Sequence, residues 1–322
     1  MFNRILLPLD GSRLAECVLP HLVAVAKIGQ PEVQLMCVLD PADVAAHVEL
    51  IDPVDWQIRK AEAGDYLSDL ATHLQATGLQ VATQIYEGKP AERIIEVSQT
   101  WDADLVILSS HGKSGITPWS VSSVVQQVIQ RAHRSLMIVR AYQPLNADLT
   151  GLHYRKIFLP LDGSQRAEMP LALAEALACH HDGDLLVVHV VQQPQLPRRI
   201  SPSQDDLLLV NELIRRNREE ALGYLEELKS HLITRGCTHV EIRLETSPRV
   251  ANSLHQIAEE SEADLTILSA HGYSGDTRWP FGSVVVGFIV YGSTALLILQ
   301  DLPSDRIELT RAEIAARELG SH

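Results

Sequence analysis

The sequence has little cysteine: its 322 residues include only four, Cys17, Cys37, Cys179 and Cys237. No two of them form a C-x-x-C pair, and none has a histidine partner at the spacing of metal ligands. The pattern argues against a metal site built on cysteine. We therefore interpret all four as reduced thiols of the core.

Positive charge is also scarce, since 27 Lys and Arg residues are set against 41 Asp and Glu, a formal net charge of −14 at pH 7. Binding to a nucleic-acid backbone requires a broad basic surface that releases counterions. The charge balance therefore argues against a nucleic-acid partner, while it still allows a local site for one small anion.

A long hydrophobic run is missing as well. A membrane-spanning helix needs about 20 apolar residues, and the least charged stretch, residues 283–299, is shorter and is interrupted by Gly292, Ser293 and Thr294. We predict a short helix followed by a buried strand there, and no membrane partner. The chain starts without a signal-peptide pattern, so we expect a cytoplasmic protein.

Two sequence blocks occur twice, in the same order and about half a chain apart. Residues 4–12 read RILLPLDGS and residues 156–164 read KIFLPLDGS; the segment ADL…SSHGKSG at 103–115 returns as ADL…SAHGYSG at 263–275. This repetition predicts a tandem duplication of one domain. The chain is long enough for two domains with separate cores, which we place at 1–146 and 153–302, followed by a tail at 303–322.

Within each half, strand-like and helix-like segments alternate, which indicates βαβ units and a parallel sheet. We predict an α/β fold of two doubly wound domains, each with a five-stranded sheet in the order 3-2-1-4-5 and helices on both faces. The predicted strands of the first half are 5–9, 33–39, 79–86, 105–108 and 136–139, and its helices are 13–27, 55–77, 90–99 and 122–132. The second half repeats this scheme with a longer second helix, 205–232, and the tail is predicted to form a helix at 308–319.

The repeated motifs stand where such sheets bind ligands. Asp10 and Asp162 follow the first strands, and the loops 109–112 and 269–272 follow the fourth strands, so both motifs should face one crevice at the carboxyl ends. Each loop then enters a helix whose backbone N–H groups can hold phosphate oxygens. The carboxylate suits a ribose hydroxyl or a base amino group. The geometry predicts a nucleotide ligand.

On these motifs the chain resembles a tandem universal stress protein over nearly all of both halves. The phosphate signature of that family is Gly, two residues, Gly, nine residues, Gly, then Ser or Thr. The second half departs from it at one position and the first half at two. The corresponding residues are Ser269, Gly272, Gly282 and Ser283 in the second half and Ser109, Gly112, Ser122 and Ser123 in the first.

The resemblance implies binding of ATP, with or without Mg²⁺. The adenosine-side aspartate of the family matches Asp10 and Asp162, and a backbone contact on the second strand corresponds to Val38 and Val190. The remaining predicted contacts in the second half are Pro160, Leu161, His271 and Val284.

We predict that the second half binds ATP and that the first half binds it weakly or not at all. A serine in a left-handed conformation costs about 1–2 kcal/mol, so Ser122 should strain the first loop or place its Cβ where a phosphate would lie. Arg278 near the second loop strengthens this asymmetry, and Lys113 near the first opposes it.

Three functions remain open from the sequence: a nucleotide-binding regulatory protein in which ATP biases domain packing or the choice of a protein client, a slow ATPase, and a structural module without a ligand. For His111 and His271 a loop contact is favoured over a catalytic role, and neither a catalytic residue nor a metal site is predicted. The resemblance implies that the two domains pair as an intramolecular pseudo-dimer. The all-apolar segment 284–290 must be covered, which makes a homodimer through residues 281–291 plausible.

Overall fold

The computed structural model describes residues 1–42, 52–113, 115, 121–141, 148–194, 203–272 and 280–301. The chain divides into two compact units, of which one contains Met1–His153 and the other contains Tyr154–Asp276 and Phe281–Asp301. The domain limits taken from the repeat, 1–146 and 153–302, stay a prediction. Arg278 and the predicted tail helix 308–319 lie outside the described residues. Among the helices that are described, none is long and apolar enough to cross a membrane.

The first unit contains a five-stranded parallel sheet in the order β3-β2-β1-β4-β5. Its strands are β1 (Arg4–Leu9), β2 (Glu32–Leu39), β3 (Gln80–Glu87), β4 (Leu105–Ser109) and β5 (Ser135–Val139). Its helices are α1 (Val18–Ala26), α2 (Pro53–Gln75), α3 (Pro90–Thr100) and α4 (Ser123–Arg131).

The second unit repeats this arrangement in the order β8-β7-β6-β9-β10. Its strands are β6 (Lys156–Pro160), β7 (Asp184–Gln192), β8 (Val240–Ser247), β9 (Leu265–Ser269) and β10 (Ala295–Leu299). Its helices are α5 (Leu171–His181), α6 (Gln204–Thr234), α7 (Val250–Glu260) and α8 (Ser283–Tyr291). The predicted α/β class, strand order and short helix before the last strand are confirmed.

Continuous apolar runs explain why the central strands form and where the core lies. Ile5 to Leu7 of β1 and Leu105 to Ile107 of β4 are completely buried, as expected for parallel strands covered by helices on both faces. The first strand of each unit pairs with the second strand on one side and with the fourth on the other. The connections leave in opposite directions there, which opens a crevice at the carboxyl ends.

Three details differ from the sequence-based expectations. The helix predicted at 13–27 begins as a short 3-10 turn, Ala15–Cys17, and the α-helix starts only at Val18. Pro20 explains this start, because proline lacks an N–H group and is tolerated only in the first turn of a helix. Cys179 is exposed and not a core thiol, in contrast to the other three cysteines. Helix α8 leaves Val286, Val290 and Tyr291 exposed.

Helix α6 is much longer than the strand that precedes it. Its 31 residues span about 46 Å, whereas the 9 residues of β7 span about 30 Å. Its buried residues are Ala221, Leu225 and Leu232, all in the second half of the helix. The first half of α6 therefore extends past the carboxyl ends of the strands, beside the crevice.

Candidate functional site

In the first unit, the structure brings the aspartate and the glycine loop together. One carboxylate oxygen of Asp10 accepts hydrogen bonds from the backbone N–H and the hydroxyl of Ser12, at 2.9 and 2.6 Å. The other accepts from the backbone N–H of Lys113, in the loop after β4, at 2.6 Å. The two motifs thus form opposite walls of one crevice.

The second unit has the same arrangement around Asp162, whose carboxylate accepts from the backbone N–H of Ser164 at 2.9 Å. In both units a Cβ atom added to the loop glycine, Gly112 or Gly272, would overlap the aspartate carboxylate. Glycine is needed at this position because the backbone and the carboxylate approach each other so closely.

The N-termini of α4 and α8 differ in a way that the sequence did not indicate. Ser122 has φ −66° and ψ 163°, and Gly282 has φ −71° and ψ 165°. Both are ordinary extended conformations, so the expectation of a strained, left-handed Ser122 is wrong. The Ser122 hydroxyl instead caps its helix by accepting from the backbone N–H of Val125 at 3.4 Å, whereas Gly282 provides no side-chain cap.

Ser123 and Ser283 are the first helical residues and do not cap their helices. Both are exposed, and Val284 follows as the second residue of α8. The first turn of α8 therefore presents backbone N–H groups, without a capping side chain, next to an exposed serine hydroxyl. This end of the helix has the features of an anion site.

The serines at the start of the two loops are directed into the protein. The Ser109 hydroxyl lies 2.8 Å from the carbonyl oxygen of Leu14 and 2.7 Å from that of His111, and it accepts from the Cys17 thiol at 3.3 Å. Ser269 is buried, and its hydroxyl has no hydrogen-bond partner among the described residues. Met169 stands in the place of Cys17, which removes the corresponding donor.

The second strand of each sheet forms the edge of the crevice at which the resemblance predicts a backbone contact with the base. Pro160 ends β6, and the backbone N–H of Leu161 donates to the carbonyl oxygen of Val188 on β7 at 2.8 Å. Val190 is two residues further along β7, so its backbone groups point to the same side, where β6 has ended. Val38 holds the equivalent place on β2.

Two titratable groups next to these valines are affected by the crevice. Burial lowers the pKa of His189, while a hydrogen bond with Leu161 and the charge of Asp162 act in the opposite direction. In the first unit the same place is taken by Cys37, whose thiol pKa is raised by burial. The two crevices therefore differ in chemistry at the second strand as well as at the helix end.

A buried contact between a histidine and an aspartate in the second unit was missed by sequence reasoning. His271 Nδ1 lies 2.7 Å from a carboxylate oxygen of Asp301, and both side chains are completely inaccessible to solvent. Arg166, in the segment after Asp162, approaches the other carboxylate oxygen at 3.5 Å. Asp301 follows the last strand, 30 residues from His271, so only the pairing of β9 with β10 brings the two together.

In the first unit the corresponding histidine has a different partner. His111 Nδ1 lies 3.1 Å from the hydroxyl of Ser110, which also accepts from the backbone N–H of Ala141 at 3.0 Å. The second unit has Ala270 and Asp301 at these two positions. The loop is thus connected to the segment after the last strand by the Ser110 hydroxyl in the first unit and by His271 in the second. Within the described ranges, no group of three or more His, Cys, Asp or Glu side chains could hold a metal ion.

Comparison with known proteins gives relatives for both halves. The chain is 28% identical over 144 residues to a universal stress protein of Methanocaldococcus jannaschii, covering 44% of this chain and 83% of the relative. It is 23% identical over 255 residues to a universal stress protein of Mycobacterium bovis, covering 76% of this chain and 79% of the relative.

Solved structures show the same fold over nearly the whole chain. A universal stress protein from Archaeoglobus fulgidus has a TM-score of 0.63 at 18% identity, covering 92% of this chain and 98% of that one. A functionally unknown protein from Pseudomonas aeruginosa has a TM-score of 0.66 at 15% identity, covering 99% and 97%.

The model of the universal stress protein family matches the sequence twice, over residues 1–140 and 153–290. These two matches together cover most of the chain and coincide with the two halves of the repeat. The chain belongs to the universal stress protein family and carries two of its domains in tandem.

Proposed function

We propose that the protein is a stress-response regulator that binds an adenine nucleotide, namely ATP held mainly by the second unit. The observation that carries this proposal is the contrast between the helix ends, since Ser122 caps α4 whereas the N-terminus of α8 at Gly282 has no side-chain cap. A phosphate group can satisfy the N–H groups that a side chain satisfies in the first unit.

The other features of the second crevice fit the rest of the nucleotide. Asp162 offers a carboxylate to the ribose hydroxyls, and the backbone of Val190 faces the space for the base. Mg²⁺ would enter with the nucleotide and be held mainly by its phosphates, as this ion commonly is.

Regulation would follow if the bound nucleotide changes how the domains pack or which client protein they meet, in the cytoplasm. Helix α8 begins at the phosphate end of the site and also exposes Val286, Val290 and Tyr291. A homodimer through residues 281–291 would therefore place the nucleotide next to the subunit contact. A slow ATPase is the alternative, but the completely buried side chains of His271 and Asp301 suit positioning better than activation of water.

The first test is the nucleotide that the purified protein releases on denaturation, identified by mass spectrometry and counted per chain. One ATP per chain is expected. Two would mean that the capped first unit also binds. Release of ADP, once carry-over from the cell is excluded, would favour the slow ATPase. If the protein releases no nucleotide and does not bind added ATP, the structural module without a ligand would be the remaining function.

The second test exchanges the residue types at the N-caps of α8 and α4, Gly282 and Ser122. In Gly282→Ser the new Cβ would lie 3.5 Å or more from its neighbours, and the φ of −71° suits any residue, so the variant should fold. A serine cap contributes about 1 kcal/mol, and ATP must displace it, so ATP affinity measured by calorimetry should fall about fivefold. Ser122→Gly is the matched change in the first unit and should leave the affinity of the second site unchanged. Equal ATP affinity in Gly282→Ser and the wild type would rule out the proposed phosphate position.

A further inference from the structure

A tyrosine and a glutamate form a pair beside the crevice of the second unit. The hydroxyl of Tyr224, on α6, donates to a carboxylate oxygen of Glu168 at 2.7 Å. Glu168 lies in the segment between β6 and α5, and both side chains are half-buried. Six residues before Tyr224, the Arg218 side chain donates to the hydroxyl of Thr246 at 2.7 Å, near the carboxyl end of β8.

A short chain of hydrogen bonds connects this pair to Asp162. The Asp162 carboxylate accepts from the backbone N–H of Ser164 at 2.9 Å, and the Ser164 carbonyl accepts from the backbone N–H of Glu168 at 3.2 Å. Burial raises the pKa of Tyr224, and the charges of both Glu168 and Asp162 raise it further. The pair is therefore fixed close to the carboxylate that would meet the ribose.

The first unit contains the same two residue types at the equivalent places. Tyr66 on α2 stands next to Glu16, and its pKa is raised by burial and by the charges of Glu16, Asp10 and Cys37. Glu16 and Glu168 both stand six residues after the crevice aspartate. The duplication thus preserves a tyrosine and a glutamate on the same wall of both crevices.

The pair can accept hydrogen bonds from a ligand but has no proton left to donate. The only proton of the Tyr224 hydroxyl is donated to Glu168, so the tyrosine oxygen and the second carboxylate oxygen can only accept. An exocyclic amino group would meet two acceptors there, whereas a carbonyl oxygen in the same place would meet only lone pairs. Burial makes such a mismatch costly.

Resting on the proposed function, we infer that Tyr224 and Glu168 determine base specificity, by accepting from the 6-amino group of adenine and rejecting purines with a 6-oxo group. Asp162 and the loop of Gly272 and Gly282 take the ribose and phosphates, which all purine nucleotides share. The pair adds side-chain discrimination to the backbone of Val190, which faces the space for the base.

The experiment measures dissociation constants of ATP and of inosine triphosphate, which has an oxo group in place of the amino group, by calorimetry with the full chain. The wild type should prefer ATP at least tenfold. Glu168→Gln places an amide in the pair that can donate to the oxo group, so the preference should shrink about tenfold. Tyr224→Phe should weaken the binding of ATP several-fold and have little effect on the binding of inosine triphosphate.

The matched controls are Glu16→Gln and Tyr66→Phe, which change the first unit in the same way and should leave the ATP preference intact. Thermal unfolding would confirm that all four variants are folded. A wild type that binds neither nucleotide would overturn the proposed function and this inference together. Normal ATP binding with the same preference in Glu168→Gln, Tyr224→Phe and the wild type would overturn the inference alone.

Discussion

At the scale of single residues, the two halves keep a buried histidine after the fourth strand but give it different partners. The partner of His111 in the first unit is the hydroxyl of Ser110, and the partner of His271 in the second unit is the carboxylate of Asp301. A neutral hydroxyl partner has been replaced by a carboxylate in the half that has the uncapped helix. The loop of Gly272 is thus held by a hydrogen bond to a carboxylate, and neither side chain is accessible to solvent.

Replacing Asp301 with alanine should destabilise the second unit strongly. The substitution removes the carboxylate that is hydrogen-bonded to His271 and lies 3.5 Å from Arg166, and the loss of a hydrogen bond to a carboxylate costs about 3 kcal/mol. Ser110→Ala removes a neutral hydrogen bond and should cost about 1 kcal/mol. Urea unfolding followed by circular dichroism gives both values; a smaller loss in Asp301→Ala than in Ser110→Ala would show that the contact between His271 and Asp301 contributes little.

Much of the candidate site could be predicted at this scale, because the duplication marks it twice. Asp10 and Gly112 stand in repeated motifs at the ends of neighbouring strands, and they do meet. The contact between His271 and Asp301 could not be predicted, since Asp301 has Ala141 as its counterpart and so lies outside any repeated pattern. The backbone angles of Ser122 were also out of reach, because a glycine in a motif does not reveal whether its φ is positive.

At the scale of elements, α1 is unusual because all its residues, Val18–Ala26, are buried, including His21. Burial lowers the pKa of His21 from 6.5 to about 4. The folded protein therefore binds this proton less readily than the unfolded chain does. The stabilisation is fully present above pH 6.5 and is lost as the pH falls towards 4, because the unfolded state takes up the proton first.

The variant His21→Leu should have a flatter dependence of stability on pH. A shift of this size corresponds to about 3 kcal/mol, so the free energy of unfolding of the wild type should fall by up to that amount more than that of the variant between pH 7 and pH 4. Chemical unfolding at a series of pH values measures this difference. His73→Gln is the control and should behave like the wild type, since His73 is exposed on α2. Parallel curves of unfolding free energy against pH for His21→Leu and the wild type would contradict the assignment of this pH dependence to His21.

The positions of the elements followed from the sequence more closely than their ends did. Apolar runs and helical spacing predicted the strands and helices of both units, because a parallel sheet buries its strands on both faces. The start of α1 was missed because the 3-10 turn Ala15–Cys17 has the same apolar spacing as a helix. The bounds of α6, Gln204–Thr234, lie close to the predicted 205–232, because the prolines of the preceding segment mark a loop in the sequence; Ser203 and Asp206 form a reciprocal cap at the start of the helix.

At the scale of the whole molecule, the apolar helix α8 has an exposed face, and the homodimer that we propose for it stays a prediction. Three of its nine residues, Val286, Val290 and Tyr291, have exposed fractions of 47%, 42% and 76%. Such a helix face is normally covered by another surface. The sequence already indicated that this face is covered, because α8 has no polar residues at the positions where α4 has Gln126, Gln127 and Gln130.

Light scattering coupled to size-exclusion chromatography should give twice the chain mass for the wild type. Val286→Lys introduces a charge into the proposed contact and should give the mass of one chain. Val54→Lys, at a valine with 64% exposure on α2, is the control and should remain dimeric. A wild type that elutes with the mass of a single chain at all concentrations would exclude a homodimer.

The cap of Ser122 has a consequence for how the two halves respond to the cell. A helix that is capped by its own serine does not depend on a bound solute for its cap, whereas a helix completed by a solute gains stability with the logarithm of that solute's concentration. On the proposed function, the stability of the first half is independent of ATP, whereas the stability of the second half rises with the concentration of free ATP. Duplication followed by the replacement of one glycine with serine would then have produced one domain that responds to ATP and one that does not.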